Sequence, residues 1–209
     1  MEAVFFDLDG TLTDPYEGVA RSLAFAFDGM GLQPPDEAEV RTLIGPPLQL
    51  AMRARFDEPV AAEIVRRFRL RYGAAGMFEN VVYPGVPEML ARAGRAARLF
   101  VCTSKPRVYA LPILRRCGLE SAFERIYGSE LDGTRIDKRE LLAHALAAEG
   151  IVPGAAVAHL GDRALDVSAA RGNALGAWGA AWGYGSAEEL AQADHVFNAP
   201  HEVAPLIAL

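Results

Sequence analysis

Residues 3–12 read Ala-Val-Phe-Phe-Asp-Leu-Asp-Gly-Thr-Leu, and this stretch decides the fold. Its first part, residues 3–8, is a short and nearly continuous apolar run, which is typical of a strand buried on both faces of a parallel sheet. Asp7 ends that run, and Asp9 follows two residues later. In open α/β sheets, ligands bind beyond the carboxyl ends of the strands. We therefore expect these two acids at a functional site, one as a nucleophile and the other as a proton carrier.

The rest of the chain alternates between short apolar runs and helical patterns. Such alternation predicts an α/β protein with a Rossmann-like parallel sheet and helices on both faces. The interval 15–80 is the exception, because it contains helical patterns and no convincing strand. We therefore predict a core formed by residues 1–14 and 81–209, with a small helical cap domain inserted over 15–80. The other core strands are expected at 98–103, 125–129, 155–160, 175–182 and near 194–197, the core helices at 86–97, 106–117, 137–149 and 163–171, and the cap helices at Tyr16–Met30, Glu37–Leu43, Leu48–Phe56 and Val60–Tyr72.

Charge and composition narrow the classes of partner. The 209 residues carry a formal net charge of -6, which argues against a nucleic-acid polymer as partner. A small anionic substrate stays possible, but it needs a local group of cations. The two cysteines, Cys102 and Cys117, lack metal-type spacing and suit a reducing cytoplasm. No stretch approaches the ~20 apolar residues of a membrane helix, so we expect a soluble cytoplasmic protein, monomeric or homodimeric, with no membrane partner.

Two groups of residues could supply the local positive charge. Thr103-Ser104-Lys105-Pro106 follows an apolar run, and we expect hydroxyl and backbone N–H groups at the start of a helix, an anion site. The alternative is an ordinary helix cap. Among 21 basic residues only Lys105 and Lys138 are lysines, and both fall beside strand-end loops. Lysine is a compact point charge suited to phosphate, although a solvated surface lysine is the commoner case.

A second pair of acids follows a later apolar run. In Gly161-Asp162-Arg163-Ala164-Leu165-Asp166, the two aspartates are one helical turn apart and can hold a hard cation through oxygen ligands. The alternative is a helix cap with an acid favoured by the helix dipole. A carboxylate that attacks a phosphate meets like-charge repulsion of about 4 kcal/mol per charge pair at ~4 Å and an effective dielectric of ~20. Cations held by these acids, together with Lys138, would relieve that repulsion.

The order Asp-x-Asp-Gly-Thr, strand-Thr-Ser, Lys and Gly-Asp-x-x-x-Asp resembles the haloacid dehalogenase (HAD) superfamily. The helical insert looks like that superfamily's cap of the first type. Segments such as Tyr83-Pro84-Gly85-Val86, residues 128–134 and Trp182-Gly183-Tyr184-Gly185 are similar to its phosphoglycolate phosphatase-like and 5′-nucleotidase-like branch. The resemblance implies a phosphatase that acts on a small phosphorylated metabolite, with phosphoglycolate or a nucleoside monophosphate as leading substrates.

The resemblance also implies a role for each residue of the motifs. Asp7 would form an aspartyl-phosphate, and Asp9 would protonate the leaving oxygen and then activate water. Thr103 and Lys138 would bind the phosphoryl oxygens. Mg²⁺ would be held by the Asp7 carboxylate, the Asp9 carbonyl group and Asp162, with Asp166 as a water-mediated ligand or orienting group. We further expect substrate or phosphate contacts from Gly10, Thr11, Ser104, Lys105 and, in the cap, Gly45.

Other functions and residues have to be weighed against this interpretation. A dehalogenase has no need for Asp9, because halide leaves without a proton. A phosphonate hydrolase of this superfamily uses a cap lysine, and residues 15–80 contain none. A phosphomutase of the β-phosphoglucomutase type stays open, as does an inactive phosphometabolite-binding protein. Residues 130–134 read Glu-Leu-Asp-Gly-Thr, nearly the first motif again, but follow a weaker strand.

His159 is expected to be a buried, hydrogen-bonded histidine rather than a catalytic one.

Overall fold

The computed structural model describes residues 1–207, and the described chain forms two compact units. The core unit comprises residues 1–14 and the described residues from Val82 onward, and the helical unit is Pro15–Val81. Two short strands, β2 and β3, pair near the points where the chain passes from one unit to the other. The strands of the structure are β1 (Ala3–Phe6), β2 (Thr13–Asp14), β3 (Val81–Val82), β4 (Arg98–Pro106), β5 (Arg125–Ser129), β6 (Val157–Gly161), β7 (Gly176–Ala180) and β8 (His195–Phe197).

Six strands of the core unit form one sheet in the order β5-β4-β1-β6-β7-β8, and all five pairings are parallel. The predicted α/β class, with helices on both faces of a parallel sheet, is confirmed. The central strand β1 lies between β4 and β6, where Phe5 pairs with Phe100 on one side and His159 on the other. All four residues of β1 are buried, as its apolar run requires. The stacked rings of Phe5 and Phe100, 4.9 Å apart, lie in the apolar core.

The strand ends differ from the sequence-based expectation. The run 3–8 contributes only Ala3–Phe6 to the sheet, because beyond Phe6 the chain folds into a tight turn in which Leu8 O accepts three backbone N–H groups. Strand β4 continues three residues past Thr103, to Pro106. An irregularity in its pairing with β5 falls between Thr103 and Pro106. Asp7 keeps one backbone hydrogen bond to β6, and the residues after it turn away from the sheet and can present side chains beyond its edge.

The helical unit holds four helices with clear sequence signals at their starts. Asp36 and Glu39 form a capping box, in which each side chain accepts the other residue's N–H. Asp57 accepts from Val60 N at 3.2 Å, which starts the last helix two residues before the predicted Val60. The helices are α1 (Tyr16–Asp28), α2 (Glu37–Leu43), α3 (Leu48–Arg53) and α4 (Glu58–Ala74), followed by a short 3₁₀ turn (Gly76–Phe78).

The core helices connect the parallel strands. Asp137 caps the helix after β5 by accepting from Glu140 N at 3.0 Å, and Gly150 ends it with a φ of 65°. None of the helices within residues 1–207 combines the length and apolar character needed to cross a membrane. The core helices are α5 (Val86–Ala93), α6 (Arg107–Arg116), α7 (Lys138–Glu149), α8 (Ala164–Gly172), α9 (Ala187–Leu190) and α10 (Val203–Ile207), with 3₁₀ turns at Glu120–Ala122 and Pro200–Glu202.

The carboxylate of Glu149 ties the end of α7 to the first residues of two strands. It accepts from Tyr127 Oη at 2.5 Å and from Arg98 Nη2 at 2.9 Å, and lies 2.7 Å from Arg125 Nε. The Tyr127 hydrogen bond and the two guanidinium groups lower the pKa of Glu149 below its ordinary value. A folded-state pKa below the unfolded one stabilises the fold above the unfolded pKa, and this contribution is lost as the pH falls through the folded pKa.

We predict that Glu149→Gln lowers the free energy of unfolding by about 1–3 kcal/mol at neutral pH, because charged hydrogen bonds are lost. Urea denaturation across a pH series measures the difference from the wild type, which should shrink as the pH falls below about 4.5. Glu120→Gln is the control, since Glu120 pairs with Arg115 at an exposed site and its loss should cost roughly 0.5 kcal/mol or less. Equal losses in both variants, or a difference that grows in acid, would contradict the assignment.

Candidate active site

Asp7 occupies the first position beyond the central strand, at the carboxyl edge of the sheet. Its backbone N–H donates to Leu160 O at 2.8 Å, which fixes Asp7 beside the end of β6. Because β1 is flanked by β4 and β6, the same edge receives Thr103 and Asp162. All three side chains are buried. The parallel topology thus gathers residues that are far apart in sequence around the end of one strand.

Lys138, the first residue of α7, lies between two carboxylates of this group. Its Nζ is 2.9 Å from Asp7 Oδ1 and also forms an ion pair with Asp166 Oδ1. Only 3% of the Lys138 side chain is exposed. Burial by itself would lower the pKa of Lys138, but Asp166 and Asp7 together raise it above its ordinary value. Lys138 is therefore held as a fixed positive charge against the expected nucleophile.

The carboxyl groups of Asp7, Asp162 and Asp166 form one buried cluster. One oxygen of each lies within 4.8 Å of the others. Burial, together with the other two carboxylates, raises the pKa of Asp162 well above its ordinary value. For Asp166 burial opposes ionisation, but Lys138 and His159 lower its pKa. Three acids beside Lys138 leave an excess of carboxylate oxygen, the ligand type that hard divalent cations take. The donor set fits a magnesium ion.

Asp162 is held from two sides by backbone that leaves little space around it. Its Oδ2 accepts from Tyr184 N at 2.8 Å, and its Oδ1 accepts from Thr11 Oγ1 at 3.4 Å. Gly10 has a φ of 80°, and a Cβ atom on either Gly10 or Gly183 would overlap the Asp162 carboxyl group. Gly10 and Thr11, predicted to contact phosphate, therefore lie directly against a predicted metal ligand.

Asp9 forms an ion pair with the second lysine of the chain, Lys105. Lys105 Nζ lies 2.7 Å from Asp9 Oδ2, and both side chains are largely buried. The sequence suggested a phosphate contact for Lys105, whereas the structure places its ammonium group on the carboxylate expected to move protons. A phosphate contact from Lys105 stays a prediction.

The segment around Thr103 and Ser104 differs from the expected helix start. The strand β4 runs on to Pro106 and α6 begins at Arg107, so neither hydroxyl lies in a first helical turn. Thr103 Oγ1 accepts from Lys105 N at 3.2 Å. Within residues 1–207, the buried Ser104 Oγ has no hydrogen-bond partner. The helix thus begins within one residue of the expected position, but the two hydroxyls lie in the strand before it, because the strand is longer than its apolar run. Anion binding by this segment stays a prediction.

Some contacts of the site went beyond the sequence analysis. Tyr184 donates its N–H to Asp162 and its hydroxyl to Asp14, and Trp182 Nε1 donates to Thr11 O at 3.0 Å. The signal that pointed to these aromatic residues was the string Trp182-Gly183-Tyr184-Gly185, quoted above for its family resemblance. His159 is buried and hydrogen bonded, as predicted, but one of its partners is Asp166.

Comparison with known proteins identifies the family. The family model of the haloacid dehalogenase-like hydrolases matches residues 1–173, which include every carboxylate and lysine described above. The chain is a haloacid dehalogenase-like hydrolase. The resemblance stated from the sequence motifs is thereby confirmed.

Three similar proteins are named as a nucleotidase, a phosphatase and a kinase. A 5′-nucleotidase of Pseudomonas aeruginosa is 44% identical over 209 residues, covering 99% of this chain and 92% of that protein. A phosphoglycolate phosphatase of Chromobacterium violaceum is 31% identical over 217 residues, covering 99% and 96% of the two chains. The tyrosine-protein kinase PtkA of Mycobacterium tuberculosis is 37% identical over 188 residues, but they cover only 64% of its length and 90% of this chain.

The crystal structure of a predicted phosphatase from Clostridium acetobutylicum superposes with a TM-score of 0.91 at 34% identity, covering 99% of this chain and 97% of that one. This hydrolase is accordingly a phosphatase.

Gly45, the one predicted site residue outside the core unit, lies in the helical unit between α2 and α3. Its φ of 103° is a conformation that residues with a side chain rarely adopt. Its role toward the substrate stays a prediction.

We predict that Gly183→Ala lowers kcat/KM for p-nitrophenyl phosphate by at least about tenfold, because the added methyl group displaces Asp162 and small misplacements in an active site are costly. Gly154→Ala is the matched control, since a Cβ atom there meets nothing within 4 Å. Kinetics and thermal unfolding of both variants test this. If Gly183→Ala keeps wild-type activity, the tight packing around Asp162 has no catalytic consequence.

Proposed function

We propose that this phosphatase is magnesium-dependent and hydrolyses a small phosphate monoester through an aspartyl-phosphate on Asp7. The observation that supports the proposal most is the position of the Asp7 carboxylate. It is buried at the end of the central strand, 2.9 Å from Lys138 Nζ, with one oxygen within 4.8 Å of oxygens of both Asp162 and Asp166. A nucleophile, a fixed cation and a set of metal ligands thus meet at one point.

In this proposal the Asp7 carboxylate, the Asp9 carbonyl group and Asp162 would hold Mg²⁺, and Asp166 would complete the acidic set. The bound ion would supply positive charge beside the phosphoryl oxygens and reduce repulsion between carboxylate and phosphate. Asp166 is already engaged by protein donors at both oxygens, since Oδ1 contacts Lys138 and His159 while Oδ2 accepts from Arg163 N at 3.0 Å. We therefore assign Asp166 mainly an orienting role, and a metal contact through water at most.

The first chemical step uses Asp7 and Asp9. An Asp7 oxygen forms a bond to phosphorus as the bond between phosphorus and the ester oxygen breaks, and Asp9 gives that leaving oxygen a proton. Lys138 and the Thr103 hydroxyl stabilise the negative charge on the phosphoryl oxygens. Lys105, at 2.7 Å from Asp9 Oδ2, keeps the Asp9 carboxyl group in one orientation. We place Gly10, Thr11 and Ser104 around the same phosphoryl group.

The second step returns the enzyme to its starting state. Asp9, now ionised, takes a proton from water as the water oxygen bonds to phosphorus. The bond between phosphorus and Asp7 breaks, which releases inorganic phosphate and restores the Asp7 carboxylate. One residue therefore acts as an acid and then as a base, and no proton is gained or lost over the cycle.

The names of the similar proteins support two substrate classes. Relatives are named 5′-nucleotidase and phosphoglycolate phosphatase, so we propose nucleoside monophosphates and phosphoglycolate as the first substrates to assay. Transfer of the phosphoryl group to another hydroxyl, as in a phosphomutase or toward a tyrosine, is the competing outcome. Inorganic phosphate released in a one-to-one ratio to substrate consumed supports hydrolysis. The appearance of a phosphorylated acceptor would instead show that the enzyme is a phosphotransferase.

We predict that Asp7→Asn reduces hydrolysis of p-nitrophenyl phosphate to background while the fold stays intact, because an amide cannot form the acyl phosphate. Excess chelator should do the same to the wild type, and added Mg²⁺ should restore it. Acid quenching with labelled substrate should trap a hydroxylamine-sensitive phosphoenzyme only in proteins that keep Asp7. Asp132→Asn, in the exposed string that resembles the first motif, is the matched control and should retain activity. Full turnover by Asp7→Asn would refute the mechanism.

We also propose that the helical unit acts as a cap in which the turn Gly45-Pro46-Pro47 contributes to substrate selection. Gly45→Ala would strain a backbone with a φ of 103°, and Pro46→Ala would loosen the same turn. We expect both variants to change kcat/KM unequally across a panel of phosphate monoesters while p-nitrophenyl phosphate is still hydrolysed. Unchanged kcat/KM across the whole panel would remove this turn from substrate selection.

A further inference from the structure

We propose that His159 is a positioning residue that holds the Asp166 carboxylate, and through it Lys138, in the geometry that the Asp7 chemistry needs. The inference builds on the proposed function, but it concerns contacts that can be tested by structure as well as by activity. His159 does not touch Asp7, and nothing suggests that it meets the substrate. It lies within the central part of the sheet, one residue before Leu160 on β6.

The ring of His159 contacts one group on β1 and one on α8. Its side chain is 0% exposed. Nδ1 lies 3.1 Å from Phe5 O, a carbonyl oxygen that can only accept, so an N–H on Nδ1 donates to it, and a second N–H on Nε2 requires the doubly protonated ring. Nε2 lies 3.1 Å from Asp166 Oδ1. The imidazole ring therefore bridges the backbone of the nucleophile's own strand and a carboxylate of the acidic cluster.

Both carboxylate oxygens of Asp166 contact donor groups of the protein. Lys138 Nζ shares Oδ1 with His159, and Arg163 N donates to Oδ2 at 3.0 Å. Gly161 leaves space for this carboxyl group, since a Cβ atom there would overlap it. Rotation of the carboxylate about its last side-chain bond would break contacts at both oxygens. His159 and Lys138 are the two side chains that contact Oδ1, and His159 is itself anchored to the backbone of β1.

The position of Lys138 depends on the orientation of the Asp166 carboxylate. Its ammonium group is oriented by two carboxylate oxygens, Asp166 Oδ1 and, at 2.9 Å, Asp7 Oδ1. If Asp166 turns away, Lys138 loses one of these two anchors and its charge no longer has a fixed place beside the phosphoryl group. Groups that orient active-site residues in this way typically change activity or metal affinity by about 10–100-fold when they are removed. A purely structural histidine would affect stability alone.

Two conservative replacements separate these roles. The amide nitrogen of His159→Gln can take the place of Nε2 and donate to Asp166, whereas that of His159→Asn can take the place of Nδ1 and donate only to Phe5 O. His159→Met fills similar space with no donor at all and replaces the asparagine variant if that one does not fold. Unfolding by urea, steady-state kinetics with p-nitrophenyl phosphate, Mg²⁺ titration by calorimetry and crystal structures with Mg²⁺ are measured for each.

We expect His159→Gln to stay within about threefold of the wild type in kcat, and His159→Asn and His159→Met to lose roughly 10–100-fold in kcat with a smaller change in KM. In crystals of the last two, Asp166 and Lys138 should be displaced, and in the glutamine variant they should keep their places. Across the three variants, kcat should depend on whether the side chain can donate a hydrogen bond to Asp166. It should not follow their free energies of unfolding.

The proposal is overturned if Asp166 and Lys138 keep their places in the asparagine or methionine variant, or if the glutamine variant loses as much activity as the others. If the wild type itself shows no phosphatase activity, the proposed function fails, while the crystal structures and the Mg²⁺ titrations still decide the role of His159.

Discussion

Crowding of like charges is the constraint on which this site depends. Asp7, Asp162 and Asp166 bring buried carboxylate oxygens to within 4.8 Å of one another, and ionised carboxylates that close repel by several kcal/mol. Lys138 relieves part of this repulsion by contacting two of the three acids, and its pKa rises in response. The remaining negative charge suits the cluster to a divalent cation, and a cation bound there would let a phosphate approach the Asp7 carboxylate. The fold thus keeps three carboxyl groups close together although they repel one another when no cation is bound.

The topology explains how these residues come together. A central parallel strand flanked by β4 and β6 gives three adjacent carboxyl ends, and each end supplies one polar group to the same side. Lys138 reaches this edge from the start of α7, which Asp137 caps. Asp7 and Asp162 therefore meet because the ladder places the ends of β1 and β6 side by side, and Asp166 joins them from the first turn of α8. The glycines that surround Asp162 and Asp166 allow backbone to approach the carboxyl groups closely.

The sequence predicts the parts of the site that follow from local pattern. Asp7 was recognised because it ends a buried apolar run, and Lys138 because lysine is rare in this chain and stands beside a strand-end loop. The sequence does not predict which side chains pair with each other, because these pairs depend on contacts between distant segments. Neither the pairing of Lys105 with Asp9 nor that of His159 with Asp166 leaves a periodic signal. The helix expected at 106–117 is present as α6 (Arg107–Arg116), but the end of the strand before it was misjudged, because pairing with β5 extends β4 beyond its apolar residues.

The choice of lysine at both cationic positions has a physical reason. The chain carries 21 basic residues and only two are lysines, yet both are buried against acids of the site, Lys105 on Asp9 and Lys138 on Asp7 and Asp166. An arginine presents five N–H groups in a flat fork and would leave several unsatisfied in so narrow a space. An ammonium group has three donors around one atom, and Lys138 directs it at two carboxylate oxygens at once. The same compactness keeps room for a phosphoryl group beside it, which a guanidinium group clamped on both oxygens of Asp7 would exclude.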